Sequence, residues 1–214
     1  MARPTLRVNE GRPPTPRPRV YDRLAAHYDR AMRPLERRAL ARLRADLLAR
    51  LPEGGRLLEV GAGTGANFAF YPRGAVGAAS EPSREMLARA RGRAERPAGV
   101  RLVQAEAERL PFGSGAFDAA FASLVFCSVE SPAAAFAELR RVVRPGGAVA
   151  LLEHVRPPGP LGYAFDALNL LSVALLEDHF NRRTADEARR AGLRVERVEP
   201  HLLGIIQLIV CKNF

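Results

Sequence analysis

The sequence predicts an α/β fold: one mostly parallel sheet with helices on both faces and a helical lid ahead of it. Three observations carry this. Beyond Gly54 and Gly55, short apolar runs alternate with helical stretches, the rhythm of parallel strands joined by covering helices. The first run, residues 56–60, leads directly into a turn with glycine at 61, 63 and 65. Ahead of both, from Tyr21 to about Leu51, apolar residues recur at helical spacing. At 214 residues the chain can bury one full core, so a single domain is expected over residues 20–214.

Residues 1–19 hold five prolines and five arginines with almost no apolar periodicity, so burial cannot repay their ordering, and they read as a flexible basic tail. Residues 20–51 read as the lid, "YDRLAAHYDRAM" followed after Pro34 by "LERRALARLRADLLARL". That spacing puts Leu35, Leu40, Leu43, Leu47, Leu48 and Leu51 on one face. Strand runs follow at 56–60, 75–80, 100–104, 117–122 and 148–154. In "LRRVVRPGGAVALLEHV" a helix stops at Pro145 and turns on Gly146 and Gly147 into the fifth strand. Residues 157–181 form an insertion that opens "PPGPLGY" and continues with Phe165, Leu168, Leu171, Leu175 and Leu176. Two last runs, 193–199 and 205–211, close the sheet.

The net charge of +10 suggests anionic partners, yet Lys212 is the one lysine among 33 basic residues, and the arginines are scattered through almost every segment. No aromatic-interleaved basic stripe or reading helix appears, so no specific nucleic acid is expected; contact with an acidic membrane surface fits better. Cys127 and Cys211 lie in apolar runs, at neither disulfide-framework nor metal-ligand spacing, which fits a reducing cytoplasm and no metal. The apolar stretches are too short to span a bilayer, and no signal peptide pattern is seen. A cytoplasmic enzyme, in contact at most with the membrane surface, is the expectation.

The glycine turn admits two cofactors. Gly61, Gly63 and Ala66 satisfy the dinucleotide pattern, and Glu81 follows about twenty residues later, where an acid grips ribose hydroxyls. A nicotinamide-dependent oxidoreductase is one reading. The other rests on Glu59, whose carboxylate would repel a pyrophosphate but attract the ammonium and sulfonium of S-adenosylmethionine. "EPSREML" adds Glu81 at the end of the second strand and Met86 to cover an adenine face. "QAEAERLPF" adds Glu106 and Ala107 past the third, where an acid can accept from the adenine amino group.

With these stretches in place, residues 20 to 214 resemble the class I S-adenosylmethionine-dependent methyltransferases, of the methyltransferase type 11 group. The resemblance implies a Rossmann-like seven-stranded sheet with the last strand antiparallel, and a cofactor lying across the carboxyl ends of the first strands. It implies a binding set of Tyr28, Glu59, Gly61, Ala62, Gly63, Gly65, Glu81, Pro82, Met86, Glu106, Ala107 and Ser123. "YDRLAAHYD" looks like the amino-terminal motif of quinone-biosynthesis and phospholipid methyltransferases, with Tyr28 closing over the methionine end. "GTGANFAFYPRG", "LVFCSV", "RVVRPGG" and "LEHV" are similar to stretches of animal methyltransferase-like proteins that methylate alkyl thiols at membranes. Those proteins carry an amino-terminal hydrophobic anchor, which residues 1–19 do not resemble, and aspartate where Glu81 stands.

Methyl transfer is a direct displacement, for which a protein supplies alignment and a dry pocket. A general base is needed when the acceptor enters protonated, and His154 or His179 can serve; each is equally readable as a structural hydrogen-bonding group. Cys127 and Phe126, after the fourth strand, read as wall, Glu108 as a solvated loop carboxylate, and His27 and His201 as structural or surface groups. The lid and residues 157–181 are expected to form the acceptor pocket, whose large hydrophobes favour a small apolar or lipidic acceptor: a quinone precursor, a phospholipid headgroup or an alkyl thiol. A catalytically inactive cofactor-binding module is the remaining alternative.

Overall fold

The structure, a computed structural model, describes residues 20–160, 162–163, 165–167, 169, 179 and 181–214. The basic tail and Leu168, Leu171, Leu175 and Leu176 of the insertion lie outside the described residues. The strands are β1 (Arg56–Val60), β2 (Val76–Glu81), β3 (Gly99–Gln104), β4 (Phe117–Ser123), β5 (Val143–His154), β6 (Arg194–His201) and β7 (Ile206–Lys212). They form one sheet in the order β3-β2-β1-β4-β5-β7-β6. Strands β1 to β5 pair in parallel, while β7 runs antiparallel to both β5 and β6. The chain steps outward from β1 to β3 and then returns to β4 on the other side of β1. That reversal opens a crevice at the carboxyl ends of β1 and β4, where open α/β sheets bind ligands.

The helices are α1 (Val20–Leu35), a π-helical turn (Glu36–Leu40), α2 (Ala41–Leu48), α3 (Arg84–Arg91), α4 (Pro132–Val142) and α5 (Thr184–Arg190). Strand alternation divides the core between the two faces of the sheet. Leu58, Val60, Ala120 and Leu151 pack with Phe136 and Leu139 of α4 and Ala188 of α5. Leu57, Phe121, Ala150 and Leu152 pack on the other face with Leu43 and Leu47 of α2 and with Phe68. Ser83 and Ser131 start α3 and α4 by accepting from Met86 N (3.1 Å) and Ala134 N (3.3 Å), which satisfies amides that a helix end otherwise leaves bare. Among the described residues no helix is long and apolar enough to cross a membrane.

Two local expectations are corrected. Leu40, Leu43, Leu47, Leu48 and Leu51 are buried, but Leu35 is 42% exposed. The π-helical turn just after it holds an extra residue per turn and rotates the stripe away from the body. Strand β5 begins at Val143 rather than at 148, because Val143 already pairs with Phe117 before a register shift across the Pro145–Gly147 corner. Gly77, inside β2, has φ +150°, and a Cβ there would sit 1.8 Å from the Leu57 carbonyl oxygen. Gly77→Ala is therefore expected to cost at least about 2 kcal/mol in stability by forcing β1 and β2 apart, read as a lower denaturation midpoint.

Candidate active site

Between β1 and β2 the chain makes the glycine turn and then a 3-10 turn, Phe68–Phe70, with no α-helix. Gly61, Gly63 and Gly65 all have positive φ (+70°, +55° and +85°), which is where glycine is needed. Gly61 has no room for a side chain, since a Cβ would lie 2.4 Å from Val125 Cγ2; at Gly63 the same position meets open space. That space belongs to a cleft at the carboxyl ends of β1, β2, β3 and β4. Of the sequence-derived set, Tyr28, Gly61, Ala62, Gly63, Glu81, Pro82, Met86, Ala107 and Ser123 line it.

Glu81 organises the turn. One of its carboxylate oxygens accepts from Gly63 N and the other from Ser83 N, both at 2.9 Å, so the end of β2 is bonded to the glycine turn and to the start of α3. Ala62 N donates to Ser80 O (2.9 Å) and Gly65 N to Ala62 O (2.9 Å). These amides are consumed within the protein, and no helix N-terminus follows them. A pyrophosphate would find these three N–H groups already bonded and no α-helix dipole of the kind on which dinucleotide turns depend.

The remaining sequence-derived residues stand elsewhere. Glu59 shares the α2-facing side of β1 with Leu57 and is fully buried behind the cleft wall. It accepts from Asn67 Nδ2 (2.6 Å) and from the Tyr71 hydroxyl (2.7 Å). Burial pushes its carboxyl up, and these bonds with the nearby Arg44 charge offset only part of that. Burial beside Glu59 also holds the Tyr71 phenol well above its ordinary range, so it stays neutral and donates. The acids that do line the cleft are Glu81 and Glu108. Gly65 lies against the Phe68 ring, and Glu106 forms a backbone bridge with Arg109 instead of lining the cleft. Glu108, read as a solvated loop acid, accepts from Glu130 N (2.8 Å) and Ser131 N (3.3 Å) at the start of α4.

Neither histidine candidate reaches the cleft. The His154 ring stacks on Phe165 at 5.4 Å, and His179 donates its backbone N–H to Cys127 O at 2.8 Å. Among the described residues no histidine lines the cleft.

The sequence reading missed Arg44. It is 5% exposed, and among the described residues it is the one cation lining the cleft. Its Nη1 donates to Asn67 Oδ1 (2.9 Å) and Ser123 Oγ (2.6 Å), and its Nε and Nη2 hold Glu36 of the π-helical turn, the nearest contact at 2.7 Å. The signal was present. Leu40, Leu43, Arg44, Leu47, Leu48 and Leu51 occupy the i, i+3, i+4, i+7, i+8 and i+11 places of one apolar stripe. An arginine inside such a stripe must find buried acceptors. Lid helix α1 is fastened over the cleft by polar contacts: Asp29 accepts from Thr64 Oγ1 (2.6 Å) and pairs with Arg93 (2.7 Å), and Ser83 Oγ donates to Asp22 (2.5 Å).

The strand order, the glycine turn bonded to an acid at the end of β2, and the cleft across β1 to β4 are those of the class I S-adenosylmethionine-dependent methyltransferase fold. Residues 58–151 match the family described as a methyltransferase domain. The chain is 39% identical over 106 residues, 48% of its length, to the human thiol S-methyltransferase TMT1B, covering 43% of that protein. It is 38% identical over 120 residues, 54% of its length, to the phosphatidylethanolamine N-methyltransferase of Cereibacter sphaeroides, covering 59% of it. The chain thus spans about half the length of the relatives it matches. In fold it is similar to the crystal structure of an S-adenosylmethionine-dependent methyltransferase from Thermotoga maritima, with a TM-score of 0.71 at 24% identity over 91% of this chain and 98% of that one.

The residues present fit S-adenosylmethionine. The open face of Gly63 leaves room for a ligand against the backbone. Glu81 is placed to accept from a diol, Met86 and Ala107 offer apolar surface to a base, and Arg44, Ser123 and Tyr28 stand on the lid side for a charged amino-acid end.

Proposed function

We propose that the chain catalyses methyl transfer from S-adenosylmethionine to a small apolar or lipidic acceptor by direct displacement. The observation that carries this reading is one continuous cleft. It runs from the glycine turn and Glu81 past Ser123 to an apolar wall of Leu124, Val125 and Val129. Bound S-adenosylmethionine supplies an electrophilic methyl group on a sulfonium. The chain's part is to hold the acceptor in line and keep water out, with Tyr28 of α1 and the wall after β4 enclosing the reacting atoms.

Three acceptor classes suit such a cleft: an alkyl thiol, a phospholipid headgroup and a quinone precursor. The thiol stands first. With no histidine among the described lining residues, an acceptor whose soft sulfur is both more acidic than an alcohol and strongly nucleophilic needs the least help. A lipidic acceptor would bring the chain to a membrane surface, with its arginine excess toward anionic headgroups. The Gly63 amide held by Glu81 and the 3-10 turn in place of an α-helix disfavour the nicotinamide reading.

S-adenosylhomocysteine at a hundred times its dissociation constant is expected to stabilise the fold by about 2.7 kcal/mol, a rise in melting temperature of about 5–10 °C, whereas NAD gives none. Labelled-methyl transfer is then screened over alkyl thiols, phosphatidylethanolamine vesicles and quinols. Binding without transfer to any of them would reduce the protein to a cofactor-binding module. Stabilisation by NAD alone would restore the oxidoreductase.

A further inference from the structure

Glu153, near the end of β5, is fully buried, and the cleft does not touch it. Its two carboxylate oxygens accept from the consecutive amides Val125 N (3.2 Å) and Phe126 N (3.1 Å). These amides open the loop after β4. Leu124, at φ +57°, bends the chain out of the strand, and the next residues make a tight turn in which Ser128 N donates to Val125 O (3.0 Å). A carboxylate beneath two successive N–H groups does for this turn what an N-cap does for a helix.

The turn held in this way matters to the cleft. Val125 packs against Gly61, where a methyl group would already collide, so the position of the Val125 backbone sets the gap between the glycine turn and the apolar wall. The far side of the loop is tied to the segment leading into α5: His179 N donates to Cys127 O (2.8 Å) and Arg182 Nη2 to Val129 O (2.6 Å). We propose that Glu153 is a positioning residue for methyl transfer, whose carboxylate holds the Val125–Phe126 turn at the spacing from Gly61 that aligns the acceptor. This rests on the methyl-transfer reading above.

Burial pushes the Glu153 carboxyl from its ordinary 4.5 up to about 8. The two amide bonds and the Arg182 charge pull it down, while Glu187 of α5 pushes it further up. Its register partner on β7, Gln207, carries no charge. The carboxyl therefore titrates near neutrality, and ionisation gives it two acceptor oxygens for the two amides, where the acid form turns a hydroxyl proton toward one of them. The hold on the loop tightens as pH rises through about 8. Global stability moves the other way. The folded state keeps a proton that the unfolded chain sheds near 4.5, so this stabilisation is complete below 4.5 and is lost as pH rises to about 8.

The test compares the full chain with Glu153→Gln, an isosteric variant fixed in the neutral state. Amide exchange, corrected for intrinsic rates, is expected to show Val125 and Phe126 about tenfold better protected at pH ~9 than at pH ~6.5 in the wild type, and equally poorly protected in the variant. Transfer of labelled methyl to 1-octanethiol is measured over the same range as the ratio of variant to wild type, which cancels the ionisation of the thiol. The ratio is expected to fall about tenfold as pH rises, in kcat, with S-adenosylhomocysteine affinity changed less than about threefold. Equal protection in both proteins overturns the proposal, as does altered exchange with an unchanged kcat ratio. A wild type that transfers methyl to no acceptor defeats the methyl-transfer reading instead, and the exchange arm still decides whether Glu153 holds the loop.

Discussion

Glu81→Ala is expected to remove measurable S-adenosylhomocysteine binding and to destabilise the fold as well. An acid at a solvent-facing strand end could be lost with the fold intact, but Glu81 is not in that position. In the structure Glu81 is 7% exposed, and its two oxygens accept from Gly63 N and Ser83 N. Alanine strands both donors, at about 1–3 kcal/mol each, and loosens the turn that must present Gly63 to the ligand. Two lost ribose hydrogen bonds to a charged acceptor, at about 1.5–3 kcal/mol each, add a loss of at least about 150-fold in affinity. Calorimetry with S-adenosylhomocysteine and a chemical denaturation curve read the two effects separately. Wild-type affinity in the variant would remove Glu81 from the binding site, and wild-type stability would show that the two amides find other acceptors.

The second large effect is expected at Arg44. Arg44→Met keeps the apolar stem but leaves Glu36 and Asn67 Oδ1 without the guanidinium, while Ser123 Oγ keeps only Asn67 Nδ2. Removing one partner of a buried, hydrogen-bonded charge costs about 3–5 kcal/mol when both are enclosed. Glu36 retains 24% side-chain exposure, so water recovers part of this and about 2–3 kcal/mol is expected. The network continues from Asn67 to Glu59 and Tyr71, so the loss reaches the cleft floor and the lid together. Adding Glu36→Gln to the variant should return part of the stability but none of the cofactor affinity. A double variant that regains both would mean that Arg44 only neutralises Glu36.

The strand pattern was legible because the central strands, β1, β2, β4 and β5, bury both faces over most of their length and stand out as apolar runs. Residues 56–60 are β1 without adjustment, and most other boundaries moved by a residue or two. Where the reading drifted, at the start of β5 and at Leu35, a local irregularity was responsible, and neither a register shift nor a π-helical turn has a composition of its own. Glu59 shows a finer failure. Its place two residues before the first glycine suggested a ligand, yet strand alternation puts it with Leu57 on the α2 face, and that was readable in "LLEV".

By itself, the sequence determined the α/β class, the strand runs, the glycine turn and the acid that ends β2, because each depends on residues close together in the chain. Tertiary structure alone decided which charges meet. Arg44 joins Asn67, 23 residues on, and Ser123, 79 residues on, while Glu153 reaches back 28 residues to Val125. Buried polar groups are satisfied by whatever the fold brings near, and that is set by strand order and helix packing rather than by neighbours in sequence. The same cause places His154 and His179 outside the cleft and Arg44 within it.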